Sequence, residues 1–285
     1  MIGVDEMLNV LDGVNDLPTL PTIYAQVSQI MQDPKSSVAD VARVIEKDQA
    51  ITSKILRVVN SSFFGFSRQI ATIRQAVVLL GYNTIRNTVL SVSVFQSFAS
   101  AGHGEFDMKE FWKHAIATGV LATYLDKALH TGFQEETFVA GLLHDIGKII
   151  LNRYFKEKFE EALTYARTNQ ETFYDSERAV IGFSHDEVGE YLADRWQLPY
   201  SLVEAVALHH QPANIRSNPK LVALTHLANI FAHRLRYGFS GDYRDPEIDT
   251  FALEELGIQK EAIPELQQLG KEILEESQAL FGLIE

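Results

Sequence analysis

Residues 138–151 read FVAGLLHDIGKIIL, an apolar run broken by the adjacent pair His144–Asp145 and, three residues on, by Lys148. Such a run is bound for an interior. An ionised carboxylate in an interior is costly unless it is paired and hydrogen-bonded. Other parts of the chain must therefore deliver partners to Asp145, and that demand constrains the fold more than any other feature.

The rest of the sequence reads as helix almost throughout, with few strand-like alternations, no short-period repeat and no low-complexity tract. LPTLPT (17–22) is extended and Pro-punctuated. A helix over about 22–32 stops before Asp33-Pro34, because the residue preceding proline disfavours the α region. Helices follow over about 37–47 and 49–60, the second with Ile51, Ile55, Val58 and Val59 on one face. Thr72 and Gln75 have capping-box spacing and open a helix that stops at Gly81. Between Asn83 and Phe98 the only charge is Arg86, which predicts a buried helix. AGHG (101–104) is the candidate boundary. Beyond it helices are expected at about 107–129, 136–151, 155–168, 184–196, 199–209, 219–237 and 260–281, with 238–246 as a loop. Ser184 and Glu187 form another capping box and put His185 in a first turn. The expectation is an all-α, two-lobed helical bundle: an N-terminal lobe over 1–104 and a second lobe over 105–285.

Charge divides unevenly. The whole chain carries −13, of which residues 1–105 hold −1 and residues 106–285 hold −12. An acidic body lacks the basic footprint that nucleic acid or anionic lipid requires. Neither nucleic acid nor a membrane is an expected partner. Arg43, Lys47, Lys54 and Arg57 read as a solvated helix face. Phe63, Phe64 and Phe66 read as core packing rather than a docking surface. With no cysteine, disulfides and thiolate metal sites are excluded. No apolar stretch approaches a membrane span, and MIGVDEMLNV has no basic signal-like start, so a cytoplasmic protein is expected.

Nine histidines occur. His114 has Glu110 four residues earlier on the same helical face. His144–Asp145 sits in the apolar run, His185 begins a helix, and His209-His210 ends one. Four separate helices thus bring imidazole to buried elements. Helical bundles build metal sites from side chains on facing helices. Imidazole and carboxylate donors suit iron, manganese, zinc or nickel. If His144 and Asp145 lie within one helix they point about 100° apart, so the expectation is two neighbouring ions with Asp145 bridging. His103, His130 and His233 read instead as hydrogen-bonded core histidines.

The set His114, His144–Asp145, His185 and His209-His210 resembles the HD superfamily of metal-dependent phosphohydrolases, and LLHDIGK resembles its HD-GYP variant. LPTLPTIYAQVSQI, DQAITSKILRVVNSSFFG (48–65) and IATIRQAVVLLGYNTIRNTVL (70–90) resemble a narrower relative, the HDOD domain, over about 17–212. The resemblance implies a metal site of Glu110, His114, His144, Asp145, His185, His209 and His210, with one or two divalent ions, iron first. It also implies that Lys148 contacts substrate phosphate and, with Asp145, serves catalysis. Two departures stand out. HHQPANIRSNP has no GYP signature, and Asn229 stands where a later Asp normally completes the site; Asn offers a carbonyl oxygen but no charge.

Three functions follow from that resemblance. The first is a regulatory, signal-transducing module that binds a signalling protein or a small phosphorylated ligand, with a metal in its HD-type site. The second is an active phosphohydrolase on a nucleotide or phosphodiester. The third is a metal or redox sensor.

Overall fold

The structure, a computed structural model, describes residues 3–14, 17–61, 63–98, 106–133 and 135–282. The expected boundary at 101–104, and with it His103, lies outside the described residues. Sixteen α-helices and two short 3-10 turns occur among the described residues, and no strand.

The first half holds α1 (Val4–Asp12), α2 (Thr22–Gln32), α3 (Val38–Ile45), α4 (Gln49–Val59) and α5 (Ile73–Phe98). Local chemistry sets the ends. Ser37 and Asp40 form a capping box that opens α3. The Asp48 carboxylate accepts from the Ile51 N–H at 2.9 Å and opens α4. Ile51, Ile55, Val58 and Val59 are buried, as their spacing predicts. α5 breaks at Gly81, whose φ of 82° is not helical. Beyond the break the helix is buried almost continuously from Ile85 to Phe98. Phe63, Phe64 and Phe66 are half-buried against the core, with the Phe63 ring 5.1 Å from Phe138. Arg43 is exposed beside Asp40.

The second half contains α6 (Met108–Leu129), α7 (Thr137–Leu143), α8 (Ile146–Tyr154), α9 (Lys156–Asn169) and α10 (Phe173–Val180). It continues with α11 (His185–Arg195), α12 (Tyr200–Leu208), α13 (Pro219–Arg234), α14 (Thr250–Leu256), α15 (Ile263–Glu276) and α16 (Gln278–Phe281). The helix expected over 136–151 is two helices, α7 and α8, with His144–Asp145 at the break. Asp145 leaves the helical region there, at φ −99° and ψ 9°. The helix expected over 260–281 is likewise divided at Ser277. Helices α1, α10 and α14 are additional to those expected.

The buried apolar side chains of both halves form one continuous cluster. Trp196, just after α11, donates its indole N–H to the carbonyl oxygen of Pro18 at 2.9 Å. Arg57 on α4 donates to the carbonyl oxygen of Gly282 at 2.8 Å. At the centre of the second half, α8 and α11 touch backbone to backbone: a Cβ on Gly147 would run into the carbonyl oxygen of His185. Gly238, at φ 77°, lies against the backbone of Glu110 and His114, where only glycine fits. It turns the 238–246 loop inward, so that Ser240 and Asp242 are buried.

Candidate metal centre

Five elements deliver the cluster. α6 supplies His114; the α7–α8 break supplies His144 and Asp145, and the first turn of α8 adds Lys148. His185 opens α11 through the Ser184–Glu187 capping box, and His209-His210 follow the end of α12. Asn229 comes from α13.

Asp145 is the hub. Its Oδ1 lies 3.0 Å from His185 Nε2 and 3.6 Å from His209 Nε2. Its Oδ2 lies 2.8 Å from Lys148 Nζ, 3.3 Å from His144 Nε2 and 4.0 Å from His114 Nε2. The donors fall into two groups that share this carboxylate: Asp145, His185, His209 and His210 on one side, and His114, His144 and Asp145 on the other. Within each group the candidate ligand atoms all lie within 4.8 Å of one another. The break in the chain lets His144 and Asp145 converge, so the 100° separation expected of helical neighbours does not apply.

The imidazoles are oriented from behind. His144 Nδ1 donates to the Gly141 carbonyl at 2.6 Å, and His209 Nδ1 to the Val206 carbonyl at 2.8 Å. His185 Nδ1 meets the buried Glu177 carboxylate at 2.5 Å. For His144 and His209, a carbonyl acceptor fixes the proton on Nδ1 and leaves the Nε2 lone pair aimed inward. Glu177 orients His185 in the same sense. Such outer acceptors are how proteins prepare histidine for metal. His144 Nε2 and Asp145 Oδ1 are buried without a hydrogen-bond partner, although close neighbours surround both. Orphaned donors converging on one point fit a cation. His114 differs: its Nε2–H donates to Asn229 Oδ1 at 2.9 Å. His210 stacks on Tyr174 with centroids 4.4 Å apart, and its Nε2 lies 2.9 Å from that of His185.

Charge follows from this crowding. Burial alone raises the Asp145 pKa, but the adjoining His144, Lys148 and His185 outweigh it and hold the carboxyl well below its usual range. Burial lowers His209 to about 4 and also depresses His114 and His210. His185 goes the other way. Burial opposes its charge, yet Glu177 and Asp145 raise it to about 9. Without metal, then, an imidazolium proton holds the place of a cation.

The arrangement corrects several expectations. Glu110 is not in the cluster: it lies in the exposed first turn of α6, 3.7 Å from Lys113. Having the right helical face does not carry a side chain inward from that turn. His130 is no core histidine; it is exposed at the left-handed C-cap of α6. His233, by contrast, is the buried, hydrogen-bonded core histidine expected; it packs 4.4 Å from the His114 ring and meets Asp242 Oδ2 at 3.1 Å. Lys148 is buried between Asp145 and Asp242, the latter 4.0 Å away. Sequence reasoning missed Glu177, Asp242 and Ser240. The two glycines of GFSGDY, at 238 and 241, were the available signal of a loop pressed closely onto other elements, α6 backbone at Gly238 and the Phe173 side chain at Gly241.

Comparison with known proteins agrees with this architecture. The profile of the HDOD domain family matches residues 17–212. An uncharacterized protein of Treponema pallidum is 26% identical over 205 residues, which are 71% of this chain and 39% of that protein. YuxH of Bacillus subtilis, also uncharacterized, is 30% identical over 89 residues, 31% of this chain and 22% of that one. The chain thus matches well under half the length of these relatives. Among solved structures, an HDOD domain protein of unknown function from Geobacter sulfurreducens superposes with a TM-score of 0.74 at 24% identity, covering 95% of this chain and 99% of that one. A Shewanella amazonensis protein provisionally named a phosphohydrolase gives 0.70 at 23%, covering 95% and 97%. At those identities the likeness is one of fold. With the profile spanning most of the chain and the HD cluster assembled where the motifs place it, this protein belongs to the HDOD family.

Proposed function

We propose that the chain is a regulatory HDOD module whose HD cluster holds a metal ion as part of its structure, not as an open centre for turnover. The observation that carries this reading is enclosure. His114, His144, His185 and His209 are each 0% exposed, and Asp145 and Lys148 are 1% exposed. A phosphoester reaching Lys148 would have to displace both Asp145 and Asp242 from it. His144, Asp145, His185, His209 and His210 would hold the ion, with His114 and Asn229 beside them. A divalent ion there supplies fixed positive charge and, toward a phosphoester, Lewis acidity. Binding displaces the proton from His185, so affinity rises with pH toward about 9 in the metal-free chain. Iron, manganese, zinc and nickel all suit these donors.

A second reading, a metal-dependent phosphohydrolase, draws on one specific feature. The two oxygens of Asp145 face two different imidazole groups, an arrangement suited to neighbouring ions and displacement at phosphorus. In that reading Asp145 would serve both ions and Lys148 would hold the phosphate. The provisional names of the Shewanella protein and of a Marinobacter aquaeolei signal transduction protein of similar fold correspond to the two readings.

The test combines metal content by mass spectrometry, on protein purified without chelator or nickel resin, with a generic phosphodiester assay. A His144→Ala/Asp145→Ala variant runs in parallel. Bound metal that is lost in the variant, with no hydrolysis, is the expected result. Hydrolysis abolished by Lys148→Met would overturn the regulatory reading. Metal-free, well-folded wild type would overturn both.

A further inference from the structure

A cavity of about 360 Å³ lies on the seam between the two halves, away from the HD cluster. One wall is α2, with Tyr24, Ser28 and Gln32; another is Arg86 on α5. The opposite wall is the Trp196–Pro199 turn that joins α11 to α12. Arg86 is the lone charge of the apolar stretch from Asn83 to Phe98. Its Nε is buried with no hydrogen-bond partner, and among the described residues no carboxylate pairs with it. Ser28 Oγ, in the same cavity, is also buried without a partner.

A guanidinium stays protonated at any physiological pH. Leaving the buried Nε donor unanswered costs free energy. Acidic side chains are abundant in this chain, yet among the described residues none lines the cavity. The fork of a guanidinium is shaped for the paired oxygens of a phosphate or carboxylate. A cavity of this size matches the lower range of small-molecule sites.

The geometry points to a binding site for a small oxyanion-bearing molecule at the lobe seam, its phosphate or carboxylate held by Arg86 and Ser28. The site is independent of the HD cluster and stands or falls whether or not that cluster holds metal. It also has a position suited to signalling. The turn that lines it joins the two helices whose far ends carry His185 and His209-His210.

The test is calorimetric titration of the whole chain with inorganic phosphate, adenosine monophosphate and succinate, each taken to about 10 mM. The three probes separate phosphate alone, phosphate on an organic body, and carboxylate. Expected is saturable binding of at least one, weakened about tenfold or more in Arg86→Gln and unchanged in Arg43→Gln, an exposed arginine paired with Asp40. Arg86→Lys, which keeps the charge without the fork, should fall between. Circular dichroism checks folding, and Ser28→Ala, expected to weaken binding about threefold, serves if Arg86→Gln does not fold. No binding by the wild type, or equal binding by Arg86→Gln and wild type, would overturn the proposal.

Discussion

The two halves bury polar groups by opposite means. Among the described residues of the first half the buried polar residues are neutral: Ser61, Asn87, Thr88, Ser91 and Ser93. Ser91 answers its hydroxyl on the carbonyl one turn back along its own helix. In the second half the interior holds ionisable groups from many elements, linked from His185 through Asp145 and Lys148 to Asp242 and His233. Ser61, Thr88 and Ser91 are satisfied on carbonyls three or four residues back, so most of this polar burial needs little beyond the local helix, Asn87 reaching further to the Glu135 carbonyl. A buried charge is satisfied only by distant partners, so the second half must be assembled all at once. The polar core is therefore the cooperative part of the molecule and the part most sensitive to solution conditions.

The largest test of that contrast is Asp145→Ala. It strips Lys148 and the imidazoles of their shared counter-charge and should cost about 3–5 kcal/mol by urea denaturation. Ile55→Ala, at a 0% exposed site in the first half, should cost about 2–5 kcal/mol, with a cost that does not change with pH. If the cost of Asp145→Ala proves equally insensitive to pH, the contrast fails.

The pH profile of the metal-free chain sharpens the comparison. His185 is raised above its ordinary 6.5 to about 9, so its stabilisation is fully present below 6.5 and is lost as pH rises through about 9. His209 is lowered to about 4, so the unfolded chain takes up a proton that the fold refuses as pH falls from 6.5 toward 4. Stability should peak between these limits, and each tenfold difference in proton affinity between fold and unfolded chain is worth about 1.4 kcal/mol. Hydrogen exchange should localise the loss to α8, α11 and α12 while α3 and α4 keep their relative protection.

The smallest effects concern caps. Ser37→Ala and Ser184→Ala each remove a capping hydroxyl and should cost about 1 kcal/mol. Ser184 is buried and also bonds Asp186, so its loss should be the greater of the two. Thermal melts of the two variants decide the order.

The same contrast explains what could be read in advance. α2 begins and ends where Pro21 and Asp33-Pro34 place it, and the Ser184–Glu187 box opens α11 as its spacing implies. These are local signals. His144, Asp145, His185, His209 and His210 stood out because ionisable residues in apolar surroundings must converge, and they do converge. The α7–α8 break was invisible because apolar residues flank it on both sides and His144 itself keeps helical angles. Glu177 and Asp242 were hidden for another reason. Each sits in a polar stretch that resembles solvent-facing sequence, and only the folding of α10 and the 238–246 loop onto the cluster makes them interior. Glu110 had the pattern of a ligand and lacked only depth.

The contact between Gly147 and His185 has a kinetic consequence. With α8 and α11 locked backbone to backbone, Asp145 and His185 cannot move apart unless the helices do. An ion held between them would leave most readily when a helix lifts away. Its residence time is then the waiting time for local unfolding, a clock set by the protein's stability rather than by the chemistry of its ligands. Such an ion would be a passenger taken aboard as the chain folds, and its slow exchange would leave a lasting record of which metals were present when the molecule was made.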